Sequence, residues 1–227
     1  METSYANHVY IYRNEIMKKL LLITVLSVSA FLAKAQETKF KNTQLGFTLT
    51  PNIGWLRFND NDPNTDADGS QIGFSYGILA DLSLSASKNY YFSTAFTLTS
   101  INAKAKELNS STTYKIQYIE VPLTLKLKSN GNDMGRFYGQ FGLGTGIKIG
   151  AKSSGYAGAV QFKDQNISKS INNFRLALIA GAGAEWTLDK SLALQTGLSF
   201  NNGFTDILDG DGDTRSSYLA LNLGIFF

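Results

Sequence analysis

The chain has 227 residues, enough for one domain, and its 21 basic residues nearly balance 18 acidic ones, which leaves no electrostatic footprint for nucleic acid. It contains no cysteine, so disulfides, thiol nucleophiles and cysteine-ligated metals are excluded. With 21 Gly, 15 Phe and 11 Tyr against only 3 Pro, the composition favours an all-β protein with one face of small residues.

Residues 1–16 carry no targeting pattern and read as a non-structural extension ahead of a misplaced start. Met17-Lys18-Lys19, the apolar run Leu20 to Leu32 and Ala33-Lys34-Ala35 form the three parts of a secretory signal peptide, residues 17–35. The run is too short for a membrane-spanning helix, which needs about 20 residues. No cysteine follows the cleavage point, which excludes a lipid anchor. Cleavage takes Arg13, Lys18, Lys19 and Lys34 against Glu2 and Glu15, so the mature part, 36–227, is almost neutral. It also takes His8, the one histidine.

Period-two runs bounded by Gly, Asn, Asp, Ser and Lys predict eight strands: 44–58, 71–84, 90–101, 114–128, 136–150, 174–188, 191–204 and 217–227. No later stretch holds a helical period. The connections alternate: 85–89, 129–135 and 189–190 are short, while 59–70, 102–113, 151–173 and 205–216 are long. That asymmetry fits an antiparallel up-and-down transmembrane β-barrel of the outer membrane, with tight periplasmic turns and long outer loops. A secreted lipocalin-like ligand-binding barrel is the second architecture, because period two does not tell which face is inside.

The strand faces favour the membrane reading. In 174–188, Phe174, Leu176, Leu178, Ala180, Ala182, Ala184 and Trp186 share a face opposite Arg175, Gly181, Gly183 and Glu185. Outward charges such as Arg57 and Lys115 fall near the looped ends, where lipid contact stops. Tyr90, Phe92, Phe137, Trp186 and Phe227 fall at the tight-turn ends as a periplasmic aromatic girdle. Asp81, Glu120, Lys126, Lys148, Arg175 and Glu185 are expected inside as a lumen charge network, since charges in a narrow lumen must be paired. Pro51 and Pro122 fall inside strands of a sheet with no edge, so a β-bulge is expected at each.

The segment Tyr118-Ile119-Glu120-Val121-Pro122-Leu123-Thr124-Leu125-Lys126 resembles a strand common in the PorT-like outer-membrane β-barrel proteins of the Bacteroidota. The resemblance implies an integral outer-membrane barrel and a closing strand, ending at Phe227, that the barrel-assembly machinery recognises. The namesake's association with protein secretion is not carried over, because the motif lies in a strand and reads as architectural.

Without histidine or cysteine in the mature chain, Ser-His and thiol catalysis are closed, so a non-enzymatic structural or protein-interaction role without cofactors is expected. The interior charges should plug the lumen, with a narrow channel or transport role as the second possibility. Asp209, Asp211 and Asp213 begin like a Ca²⁺ loop, but Thr214 and Ala220 stand where Gly and Glu are needed, so they are weak metal candidates beside solvated loop tips. The long connection 151–173, with Tyr156, Phe162, Lys163 and Lys169, is the segment best placed to touch an extracellular or secretion-related protein partner. Lipid of the outer membrane is the other expected partner.

Overall fold

The computed structural model describes residues 42–58, 66–107, 110–132, 134–208 and 214–227, except the side chains of residues 58, 66–68 and 107. The extension and signal peptide therefore lie outside the described residues, as do Asp209, Asp211 and Asp213. Among the described residues nine strands form in chain order: β1 (Thr43–Phe58), β2 (Asp66–Ser83), β3 (Tyr90–Glu107), β4 (Ser110–Lys128), β5 (Gly135–Ala157), β6 (Val160–Asn166), β7 (Phe174–Thr187), β8 (Ala193–Gly203) and β9 (Thr214–Phe226). Among the described residues no helix is long and apolar enough to cross a membrane, so a crossing would use strands.

Eight of these strands close on themselves. Antiparallel pairing runs β4-β3-β2-β1-β9-β8-β7-β5, and β4 also pairs with β5, which completes the ring. The closing strand β9 pairs with β1 from Gly46↔Phe226 to Phe58↔Thr214, and the Phe227 amide still donates to the Leu45 carbonyl at 2.9 Å. A closed ring leaves no edge to solvate, so every strand can satisfy its backbone within a bilayer.

The alternating pattern places apolar side chains outside. Phe47, Leu49, Ile53, Phe74, Tyr76, Ile78, Phe96, Leu123, Phe141, Leu143, Ile147, Leu178, Leu219 and Leu221 are exposed, whereas Thr50, Asn52, Ser75, Asp81, Thr97, Glu120, Lys126 and Arg175 are buried. A soluble barrel shows the reverse, so the lipocalin-like reading is excluded. Glycines at inward positions of β5 make room for the lumen side chains. A Cβ on Gly146 would sit 3.2 Å from Glu120 Cγ, and one on Gly144 would sit 3.0 Å from Ile179 Cδ1.

Two expectations need correction. Neither proline makes a bulge: the β1–β9 register is the same at Leu49↔Leu223 and Asn52↔Ala220, and the β3–β4 register is the same at Thr94↔Leu123 and Thr97↔Glu120. Each proline leaves a gap in the ladder instead. The missing N–H of Pro122 faces Ala95 in that register, and one absent bond costs less than reversing the inside and outside of a whole strand. Shifts occur elsewhere, between Gln117 and Tyr118 of β4 and along the outer part of β2.

The long connections also contain more strand than expected. β3 and β4 stay paired as far as Glu107↔Ser110, and β5 runs on to Ala157 before folding back as β6, which is outside the ring. The segment 151–173 is thus mostly a β-hairpin followed by a 3₁₀ turn at Ser168–Ser170. Lys163 and Lys169 are exposed on it.

Candidate functional site

Among the described residues, polar side chains converge in the lumen of the barrel. Toward the tight-turn end, inward positions of four strands, β2, β4, β5 and β7, bring together a charge cluster. Lys126 Nζ contacts both oxygens of Asp81, at 3.0 and 2.9 Å, and Lys128 Nζ lies 2.7 Å from Asp81 Oδ2 and 2.7 Å from Glu185 Oε2. Arg136 Nη2 donates to Glu185 Oε1 at 2.9 Å. Neutral groups complete the shell: Gln44 bridges Lys128 and Glu185, Gln195 accepts from Lys126 at 2.9 Å, and Ser93 donates to Asp81 at 2.5 Å. Lys128 Nζ also stands 4.1 Å from the centre of the fully buried Tyr91 ring.

All five charged groups are buried. Removing a charge from water costs several kcal/mol, roughly, even after relaxation, so such groups persist only when each has opposite charge and hydrogen-bond partners. This cluster meets that condition.

Further toward the long-loop end a second, smaller set forms a ring of hydrogen bonds. Arg175 Nη1 donates to Glu120 Oε1 at 3.0 Å and Nη2 to Asn201 Oδ1 at 2.7 Å. Asn201 Nδ2 donates to Tyr218 Oη at 2.9 Å, and Tyr218 Oη donates to Glu120 Oε2 at 3.1 Å. Between the two sets lies a cavity of about 110 Å³, bordered by Thr48, Thr50, Ser75, Ser93, Thr97, Thr124, Lys126, Gln195, Ser199 and Asn222 among others.

Above the second set the lumen turns apolar. Leu56, Ile101, Ala103, Ile116, Tyr118, Ala151, Tyr218 and Ala220 pack with Ile171 and Ile207, which come from the connections before β7 and before β9. These connections are tied over the mouth by an Ile171↔Leu208 bridge and by Asn172, whose amide donates to the Ile207 carbonyl at 2.8 Å. Burying an isoleucine stabilises by about 1.5–3 kcal/mol, so the two isoleucines hold the cap down.

Of the expected lumen charges, Asp81, Lys126 and Glu185 meet in the lower cluster and Glu120 and Arg175 in the upper ring. Lys148 does not join them: its Nζ donates to the Ser168 and Ile171 carbonyls and braces the cap. Lys128 and Arg136 were missed, although each continues the inward parity of its strand. They sit beside tight turns, where charge reads as solvated.

The resembling segment of β4 sends Tyr118, Glu120, Thr124 and Lys126 inward as one column. It therefore runs from the apolar cap through the upper ring to the lower cluster. Of the aromatic residues at the tight-turn ends, Tyr90, Phe137, Trp186 and Phe227 are exposed and Phe92 is half-buried, and the Phe227 ring lies 5.6 Å from that of Phe47. At the opposite end Trp55 stacks on Phe200 at 6.0 Å.

A family model described as outer membrane protein beta-barrel domain matches residues 34–209. No match was found among curated protein sequences. Among solved structures, Neisserial surface protein A is 14% identical with a TM-score of 0.44, over 79% of this chain and 95% of that one. Ail, the attachment invasion locus protein of Yersinia pestis, is 14% identical with a TM-score of 0.42, over 82% and 99%. The outer membrane protein OprG of Pseudomonas aeruginosa is 12% identical with a TM-score of 0.43, over 82% and 94%. With the family match spanning more than half of the chain, and a closed eight-stranded barrel that carries its apolar residues outward, this protein belongs to the outer membrane protein β-barrel domain family and resides in the cell outer membrane.

Proposed function

We propose that this barrel is a sealed, non-enzymatic element of the outer membrane that acts structurally or through protein contacts at its long-loop end. The observation that supports this reading is the side-chain packing at both ends of the lumen. Paired charges fill its tight-turn end and an apolar cap covers its long-loop end. The space between them has room for a few waters. Catalytic chemistry finds little support, since the single histidine of the chain, His8, lies in the extension expected to precede the signal peptide.

The tight turns belong on the periplasmic side and the long connections outside, following the usual asymmetry of such barrels. In that orientation Tyr90, Phe92, Phe137, Trp186 and Phe227 make the periplasmic aromatic girdle. The β5–β6 hairpin then stands above the membrane with Tyr156 and Val160 exposed, available to a protein partner. Within the family we place the chain among the PorT-like barrels on the strength of the Tyr118–Lys126 segment, without its secretion role.

A chain free of cysteine makes the test simple. Ser199→Cys faces the cavity and Lys163→Cys the outer hairpin. In intact cells a membrane-impermeant thiol reagent should label Lys163→Cys and leave Ser199→Cys unmodified until the protein is denatured. Equal labelling of both native proteins would defeat the sealed-lumen reading.

A further inference from the structure

Two carbonyls of the barrel wall are denied the donor that a ladder supplies, and both gaps open at the height of the lumen cavity. In an antiparallel ladder, opposed residues alternate between pairs that exchange hydrogen bonds and pairs that do not. The Phe227 amide donates to the Leu45 carbonyl across β9 and β1, and the Lys128 amide to the Asn89 carbonyl at the foot of β3 and β4. Six residues along each strand from those bonds, an even step that keeps the hydrogen-bonding class, Pro51 stands opposite Leu221 and Pro122 opposite Ala95. On their other sides both prolines sit in unbroken pairing, Pro51 with Phe74 and Pro122 with Gly144. Proline has no N–H, so it gives nothing to the Leu221 and Ala95 carbonyls. A bilayer offers them no donor from outside, and an unsatisfied carbonyl there is costly.

The lumen offers the other side. Ala95 and Pro122 border the cavity directly, and across it so do Thr50, Ala220 and Asn222, which flank the gap at Pro51. Hydroxyls close by are already committed to neighbouring carbonyls. Thr124 donates to Ser93 at 3.1 Å, Thr97 to Glu120 at 3.4 Å and Thr48 to Leu223 at 3.0 Å. Two buried side-chain atoms also lack a protein partner: Asn52 Oδ1, one inward position beyond Thr50, and Tyr138 Oη, one inward position before Gln140 of the cavity wall. Unserved polar groups thus gather around one polar space.

We propose that this cavity is a binding site for a fixed cluster of water molecules, which donate to the Ala95 and Leu221 carbonyls in place of the two prolines. Water suits the site because each molecule brings two donors and two acceptors, and the polar lining offers every one several partners. The cluster lets proline stand in two strands of a closed wall without a bulge, so the parity that separates the lipid face from the lumen stays intact. Such waters are held whether or not the barrel conducts.

Water-edited carbon-13 solid-state NMR on the mature chain, residues 36–227, in lipid bilayers tests this, because it reads how fast water protons polarise each carbonyl. Ala95–Phe96 is the single Ala–Phe step in those residues, so pairwise labelling isolates its carbonyl. Polarisation should reach the Ala95 and Leu221 carbonyls several-fold faster than those of Phe96 and Leu123, whose ladders are unbroken. Pro122→Ala restores a donor and should bring Ala95 down to that level while Leu221 stays fast, and Pro51→Ala should do the converse. Ser199→Leu, which fills the cavity, should slow both. Folded bands on unheated gels show that each variant keeps its barrel. Native carbonyls no faster than their neighbours, or an alanine variant whose own carbonyl stays fast, would overturn the proposal. So would a Ser199→Leu barrel in which both stay fast, which would place the water on the lipid face of the wall.

Discussion

Glu120 and Arg175 show how strongly single residues are constrained in this lumen. Each is buried and bound by the other as well as by Asn201, Ser216 or Tyr218. Glu120→Leu alone leaves an unpaired guanidinium inside and should lower unfolding stability by about 3–5 kcal/mol, while Glu120→Leu with Arg175→Met should recover most of the loss. Urea titration in lipid vesicles followed by tryptophan fluorescence measures this, because Trp55 and Trp186 both sit on the outward face. A double variant as unstable as the single one would show that the ring holds more than the pair. Parity along each strand made most of these charges legible in the sequence. Lys148 was misplaced because its partners are carbonyls of a connection whose path over the mouth no periodicity encodes.

At the scale of the elements, the strands were legible only as far as lipid touches them. Above the belt the outward residues of β3 and β4 are Asn102, Lys104, Lys106, Thr113 and Lys115, so the apolar face passes from the outside to the inside at Ile101, Ala103 and Ala105 while pairing continues. The expected loops at 102–113 and 151–173 are therefore largely strand. The prolines misled for a related reason, since a closed ring tolerates a missing bond better than a parity change. The end of β9 was read more securely, and its role can be tested. Deleting Phe227 removes the last amide of the β1–β9 seam and its ring contact with Phe47. We expect folded protein in the outer membrane to fall several-fold in the deletion strain, roughly the effect of losing one lipid-facing aromatic contact and a ladder bond. Shortening the β5–β6 hairpin should not do so. Normal levels of heat-modifiable barrel from the truncated chain would show that the terminal residue has no part in assembly.

For the whole molecule, ring size sets what the barrel can be. Eight strands leave an interior that side chains can fill, and here it is lined by a charge cluster, a hydroxyl-bordered cavity and an apolar cluster. The apolar outer surface and paired interior explain each other: a bilayer requires closure, closure makes a narrow lumen, and a narrow lumen requires compensated charge. Ring closure was legible from strand number and loop alternation, whereas the lid was not, because Ile171 and Ile207 lie in connections without a repeating pattern. Single-channel recording of the purified barrel in planar bilayers tests the sealed lumen most directly. The proposed sealing predicts a silent baseline for the native protein across physiological voltages, and stable, stepwise conductance passed by small solutes would contradict it.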